Sequence, residues 1–262
     1  MSRRLQHPDR RPAVIAGASS GIGAATAVAL ARAGHPVALG ARRTQLCDDV
    51  ARAIRDAGGE AVAHPLDVAD SESVAKFASA VGADLGDIEV VVSNAGLSRP
   101  NRVHTSTVEE LLAHVEVNLL GPQRLIEAFA PGLVARGRGD LVFISSDVVE
   151  TVRPLTGAYN ATKAGLEGLV HTMQRELEGT GVRASLVRPG PTLTEMGTDW
   201  PEDQTTDLIN EWVKWGLARH GRFLPADAIA SAVTTIVSAP RGTHITLMEV
   251  QPEAPKDAKD LP

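Results

Sequence analysis

Apolar positions along the chain fall into runs of two lengths that alternate. The runs at Ala13 to Ala16, Val37 to Gly40, Ala61 to His64, Ile88 to Val92, Leu141 to Ile144, Ala184 to Val187 and Ile245 to Val250 are too short for helices and lack polar alternation. That is how strands buried on both faces read. Between them, Gly21 to Ala33, Thr44 to Ala57, Ser71 to Val81, Thr107 to Arg136 and Tyr159 to Glu178 are patterned as helices, with a break expected at Gly121-Pro122. Repeated strand-helix units predict an α/β fold, a doubly wound parallel sheet with helices on both faces.

A chain of 262 residues that is 43% hydrophobic can bury one large core, and a single domain over 12–252 is expected. Residues 1–11 read as a flexible basic tail and 253–262 as a second flexible tail, with no internal repeat. A formal charge of -6 and a sequence pI near 5.8 argue against nucleic-acid binding, the arginine-rich start from Arg3 to Arg11 being a local exception. The chain has no apolar run of membrane-spanning length and no signal-type segment before residue 17, so no membrane partner and a cytoplasmic location are expected. Cys47 is the sole cysteine, which precludes an internal disulfide and fits a reducing compartment; it is given no role. The eight histidines form no ligand motif, His171 and His220 read as surface or packing residues, and no metal is expected.

Chemistry enters with the turn Gly17-Ala18-Ser19-Ser20-Gly21-Ile22-Gly23, which follows the first strand and opens the first helix. This Rossmann-like arrangement sets backbone amides and a helix N-terminus where a dinucleotide pyrophosphate lies. At the end of the second strand, where an acid usually meets the ribose of NAD, the chain reads Gly40-Ala41-Arg42-Arg43. Arg42 is expected to pair with a 2'-phosphate and Arg43 to stack near the adenine or assist, favouring NADP(H) over NAD(H). The alternative is two solvated arginines opening a helix. Asp67, with Val68 beside it, is a candidate for the adenine amino group, and Asn94-Ala95-Gly96 for the cofactor floor. Tyr159, the only tyrosine, lies four residues before Lys163 and thirteen after Ser146. Positions i and i+4 share a helix face, so the Lys163 ammonium can favour the ionised phenol. At an effective dielectric of about 20 and roughly 5 Å, one charge is worth about 3 kcal/mol, or about two pKa units. The pair points to carbonyl and alcohol redox chemistry on a nicotinamide.

Together these motifs, with Asn118 and Pro189-Gly190, resemble the short-chain dehydrogenase/reductase family from Ala13 to Val250. The resemblance implies that Tyr159 is the acid/base, that Ser146 hydrogen-bonds the substrate oxygen, and that Lys163 holds the nicotinamide ribose. It implies that Asn118 anchors a relay water, and that Pro189, Gly190, Thr192 and Thr194 contact the nicotinamide. Ser145 is expected to support the turn. The chain departs from the pattern at Ala16 and Ser93, where the family often has threonine and asparagine. It also lacks the Val-Asp-Gly-Gly ending of oxoacyl-carrier-protein reductases, and so looks more like members acting on small hydroxy acids or free aldehydes.

All three tryptophans, Trp200, Trp212 and Trp215, fall between the sixth strand and the last helix, where the family places a substrate lid, here about 192–224. Leu208, Ile209, Trp212 and Trp215 form an apolar face on a short lid helix. Together with Met196 they either receive an apolar small-molecule carbonyl or alcohol, or only seal the lid. Asp147 and Val148 flank the pocket by family analogy. The family also implies a homodimer or homotetramer through the long helices at 107–136 and 159–178. A noncatalytic cofactor-binding sensor or interaction module is the alternative from another class.

Overall fold

The computed structural model describes residues 11–218 and 220–256. Seven strands, β1 (Ala13–Ala16), β2 (Val37–Ala41), β3 (Ala61–Pro65), β4 (Val90–Ser93), β5 (Gly139–Ile144), β6 (Val182–Pro189) and β7 (Leu247–Val250), form one sheet in the order β3-β2-β1-β4-β5-β6-β7. Every pairing is parallel, with Ala13 beside both Val37 and Val90. The order reverses between β1 and β4, and the crevice at such a reversal is where open α/β sheets bind ligands.

Alternate residues of each strand feed two different cores, which is why the strands read as unbroken apolar runs. Ala13 and Ile15 pack on one side with Leu30 of α1 (Gly21–Arg32), Ile54 of α2 (Thr44–Asp56) and Ile229 of α8 (Ala226–Val237). Val14 and Ala16 pack on the other with Phe77 of α3 (Ser71–Leu85), Leu125 of α5 (Gly121–Arg136) and Leu166 of α6 (Gly157–Glu176). Each fully buried large side chain contributes about 1.5–3 kcal/mol.

Two strands run longer than their apolar cores predict, and buried ion pairs explain both. β5 starts at Gly139 because Asp140, 1% exposed, is held by Arg183 at 2.6 Å. β6 extends through Arg183 and Arg188, and Arg188 reaches Glu167 at 2.7 Å. Arg11, placed in the basic tail by the sequence reading, is 4% exposed, ion-paired to Asp140 and bonded to Glu89 at 3.1 Å. That corrects its assignment: paired charge buries it with the body. The rest of the basic segment, residues 1–10, and residues 257–262 of the second tail lie outside the described residues.

In place of a break at Gly121-Pro122, a π-helical turn over Glu116–Leu120 joins α4 (Val108–Val115) to α5. Pro122, which has no N–H to donate, falls where the chain passes from the π turn into α5. The extra residue in the turn brings Asn118 fully inside. After β6 the chain leaves the sheet, forms α7 (Glu202–Lys214), and returns to its starting point. Thr192 and Leu224 bridge there, with Leu193 N donating to Leu224 O at 2.9 Å and Leu224 N to Pro191 O at 2.8 Å. Among the described residues no helix is long and apolar enough to cross a membrane.

Candidate active site

The turn after β1 admits only glycine at its key positions. A β-carbon on Gly23 would lie 2.1 Å from the Gly17 carbonyl oxygen and 2.6 Å from Asn94 Nδ2, and one on Gly17 would lie 2.7 Å from Ala95 Cα. Gly17 and Gly21 also hold φ of 78° and 54°, a left-handed backbone that favours glycine. Asn94, at the end of β4, locks the turn by donating to Gly17 O at 3.0 Å and Ala16 O at 3.3 Å. Ser20 caps α1 without a side-chain bond to its first amides. Those amides face the crevice with the positive end of the helix dipole, and this cradle fits a pyrophosphate.

Of the two arginines after β2, the structure turns Arg43 toward the cradle. Its Nη2 donates to Ser19 Oγ and Ser20 Oγ, each at 3.0 Å, and meets Glu195 Oε2 at 2.8 Å. Arg43 and Ser20 together hold that exposed carboxyl below the usual range. Arg42 is exposed at the strand end. Asp67 is half-buried, its Oδ1 accepting from Ala69 N at 3.0 Å, while Val68 is buried against Gly121. Beyond β6, Thr192 donates to the Gly190 carbonyl at 2.8 Å. Thr194 lies across the cradle, 3.1 Å from where a β-carbon on Gly21 would be. Thr194 thus faces the glycine turn, while Gly190 packs against Gln251 and Pro252.

The reacting groups come from β5, the π turn and α6. Ser146 follows β5 at 9% exposure, its Oγ donating to Asp147 Oδ1 at 3.4 Å and accepting from Val148 N at 3.4 Å. Lys163 is 3% exposed, its Nζ 5.6 Å from the Tyr159 ring centroid and donating to Ile144 O at 2.7 Å. Burial pushes the phenol up to about 12, with Ser146 opposing, Asp147 adding to the rise and Arg153 opposing it. Burial also pulls the Lys163 ammonium down to about 8, against the attraction of Glu167. The sequence expectation of a phenol eased toward ionisation by Lys163 is therefore not met in this geometry. Desolvation is the largest influence on the phenol, and the Lys163 hydrogen bond goes to a backbone carbonyl.

Asn118 spends both ends of its amide on the Leu97 backbone, accepting from N at 2.7 Å and donating to O at 2.8 Å. It also donates to Thr162 Oγ1 at 3.1 Å, and that hydroxyl donates to Tyr159 O at 2.8 Å. The segment after Asn94-Ala95-Gly96 is so tied to the tyrosine's own helix. Ser145, expected to support the turn, donates to Glu167 at 2.6 Å and pins β5 to α6.

Lid residues divide. Trp212 Nε1 donates to Pro154 O at 3.0 Å, and Leu208, one turn away, is buried. Met196 approaches Gly96, its methyl 3.6 Å from where a β-carbon would be. Trp215 is 61% exposed and its partners are on its own helix, Glu211 at 2.9 Å and Lys214 over the ring. Ile209 is likewise exposed, so the expected apolar face is only half turned inward. Between the lid and the segment after β4 lies a cavity of about 610 Å³, lined in part by Arg99, Asn101, His114, Trp200 and Asp207. Val148 is buried beside Ser146. Sequence reasoning missed Arg153, Glu167 and Glu195, because a charge that pairs across the fold looks like any surface charge in one dimension.

The family model described as short chain dehydrogenase matches residues 11–205. The chain is a short-chain dehydrogenase/reductase. The chain is 33% identical over 248 residues to a glycine betaine reductase of Emericella nidulans, covering 94% of this chain and 19% of that one. It is 38% identical over 188 residues to an uncharacterized oxidoreductase of Mycobacterium bovis, covering 70% of this chain and 55% of the relative. The chain thus spans about a fifth and about half of these two curated relatives. With a cis-4-hydroxycyclohexanecarboxylate dehydrogenase of Sinomonas cyclohexanicum the match is end to end, 33% over 239 residues, 88% of this chain and 96% of the relative. Among solved structures, an alcohol dehydrogenase from Thermococcus sibiricus complexed with 5-hydroxy-NADP aligns with a TM-score of 0.79 at 35% identity, covering 92% and 96% of the two chains. Among the described residues no group of three or more His, Cys, Asp or Glu could hold a metal ion.

Proposed function

We propose that this protein interconverts a carbonyl and a secondary alcohol on a small, largely apolar substrate with NADP(H). The observation that carries the reading is the Lys163 ammonium, 5.6 Å from the Tyr159 ring centroid and tied to Ile144 O at 2.7 Å, two residues before the buried Ser146. When bound, the nicotinamide supplies or accepts the hydride. Tyr159, protonated at neutral pH with its pKa near 12, is in the form that gives a proton to a carbonyl oxygen. Ser146 donates to the same oxygen and favours the charge that develops on it. Lys163 keeps a positive charge beside the phenol and is the residue to hold the ribose. Asn118 fixes the Tyr159 backbone and the loop at Leu97, and is the residue to anchor a relay water.

The cradle of Gly17, Ser19, Ser20, Gly21 and Gly23 fits a dinucleotide. The lack of a carboxylate at the end of β2, together with Arg42 and Arg43, supports NADP(H) over NAD(H). The archaeal neighbour's 5-hydroxy-NADP and the NADP of a metagenomic neighbour at 34% identity agree with this reading. Met196 and Trp212 are the substrate contacts it favours, and the hydroxycyclohexanecarboxylate relative sets the scale of the substrate. A cytoplasmic homodimer or homotetramer accords with the exposed Leu111 and Leu112 on α4.

Tyr159→Phe is expected to lower turnover with ketones by about 100-fold or more while NADPH still binds. Residual turnover above about a tenth of the parent's sinks the assignment. Titration of NADPH and NADH is expected to show tighter NADPH binding. Arg42→Ala and Arg43→Ala should each weaken NADPH about 10-fold and leave NADH nearly unchanged. Equal dissociation constants for the two cofactors would refute the preference.

A further inference from the structure

Between Ser146 and Tyr159 the chain buries an ion pair that no step above uses. Arg153 and Asp147 are 8% and 6% exposed, and the guanidinium grips the carboxylate with both prongs, Nη1 to Oδ1 at 3.0 Å and Nη2 to Oδ2 at 2.6 Å. Asp147 Oδ1 also accepts from Ser146 Oγ at 3.4 Å, and Oδ2 from Gln251 Nε2 at 3.5 Å. On its other side the guanidinium carbon lies 5.3 Å from the centroid of Trp212 on the lid helix. The Trp212 Nε1 bonds the next residue, Pro154. Leu155 then holds φ of 63°, a conformation that costs roughly 1–2 kcal/mol and persists only where the surroundings fix it.

We propose that Arg153 is a positioning residue that couples the lid helix to the reacting pair, Trp212 holding its face while its fork holds Asp147 against Ser146. The coupling rests on the acid/base reading of Tyr159 only for its catalytic meaning. The charges facing Tyr159 are Asp147 and Arg153 from the loop and Lys163 from α6, with Glu167 acting on Lys163. Asp147 opposes a phenolate and Arg153 favours it. A buried pair of this kind nearly cancels at the phenol, and loss of either member leaves the other uncompensated.

Tyr159 is the only tyrosine in the chain, so tyrosinate absorbance reports this one phenol. Alkaline-jump stopped flow reads its ionisation before the protein unfolds. Asp147→Asn is expected to lower the midpoint by about one pH unit, and Arg153→Met to raise it. The double variant should fall between the two. In a Trp212→Leu background the same Asp147→Asn change should move the midpoint by less than about half as much, because a loosened guanidinium hydrates and screens the site. An unchanged or raised midpoint in Asp147→Asn overturns the proposal, even if Arg153→Met fails to fold. An undiminished shift in the Trp212→Leu background overturns the link to the lid. Turnover retained by Tyr159→Phe would remove the acid/base reading and leave these titrations to judge Arg153 independently.

Discussion

Lys163 shows how a single residue is stabilised for chemistry at the expense of the fold. Its side chain is 3% exposed, and burial lowers its pKa from 10.5 to about 8. The folded value lies below the unfolded one, so the native state sheds the proton first. Stability contributed by this group therefore rises with pH between about 8 and 10.5, and below about 8 the whole cost of burying the ammonium is borne. Tyr159 acts with the opposite sign: its folded value is raised from 10 to about 12, and stability is lost as pH climbs through that window. Lys163→Met removes the buried charge. It should abolish turnover, yet raise Tm at pH 7 by about 2–5 °C. Calorimetry across pH checks the cause, because the advantage should shrink as pH approaches 10. A constant advantage would mean that methionine merely packs better.

At the scale of elements, glycine separates backbone that builds the crevice from backbone that only ends or fills a helix. Gly23 has no room for a methyl group against Gly17 O and Asn94 Nδ2, so Gly23→Ala must push the α1 cradle away from β4. A loss of about 2–3 kcal/mol and weaker NADPH binding are expected, by denaturant melts and cofactor titration. Gly82, inside α3, would meet nothing within 4 Å, and Gly82→Ala should gain about 0.5–1 kcal/mol through helix propensity alone. The contrast was legible in part, since a strand, glycine turn and helix in sequence already mark the cradle. The strands were legible because both of their faces are apolar, and Tyr159 and Lys163 because helix geometry fixes their spacing. The ends of β5 and β6 were not, because Asp140, Arg183 and Arg188 read as exposed charges until their partners are brought close by the sheet. Nor could adjacency tell which of Arg42 and Arg43 turns to the cradle, or that Trp212 faces the body while Trp215 faces solvent. Such choices depend on what lies opposite, and that is set by long-range packing.

Across the whole molecule, the reacting groups gather beyond the carboxyl ends of the strands while a second cluster of buried charges lies at the opposite end of the sheet. There Arg11, just before β1, joins Glu89 before β4, Asp140 on β5 and the Val237 carbonyl at the close of α8, and Arg183 of β6 holds the same aspartate. Five elements are thereby pinned by one cluster far from the crevice. Arg11→Met leaves Asp140, at 1% exposure, with Arg183 as its one cationic partner among the described residues. Breaking a buried pair costs roughly 3–5 kcal/mol, and the remaining Arg183 should reduce that to about 2–3 kcal/mol, or about 5–10 °C in Tm. Because the cluster touches no residue of the crevice, turnover per folded molecule at room temperature should stay within about two-fold of the parent. Adding Asp140→Asn to Arg11→Met removes the uncompensated carboxylate and should recover part of the lost Tm. Should turnover fall in step with Tm instead, the two ends of the sheet are mechanically coupled, and the rigid platform on which Ser146, Tyr159 and Lys163 are held would have to be replaced by one that flexes as a unit.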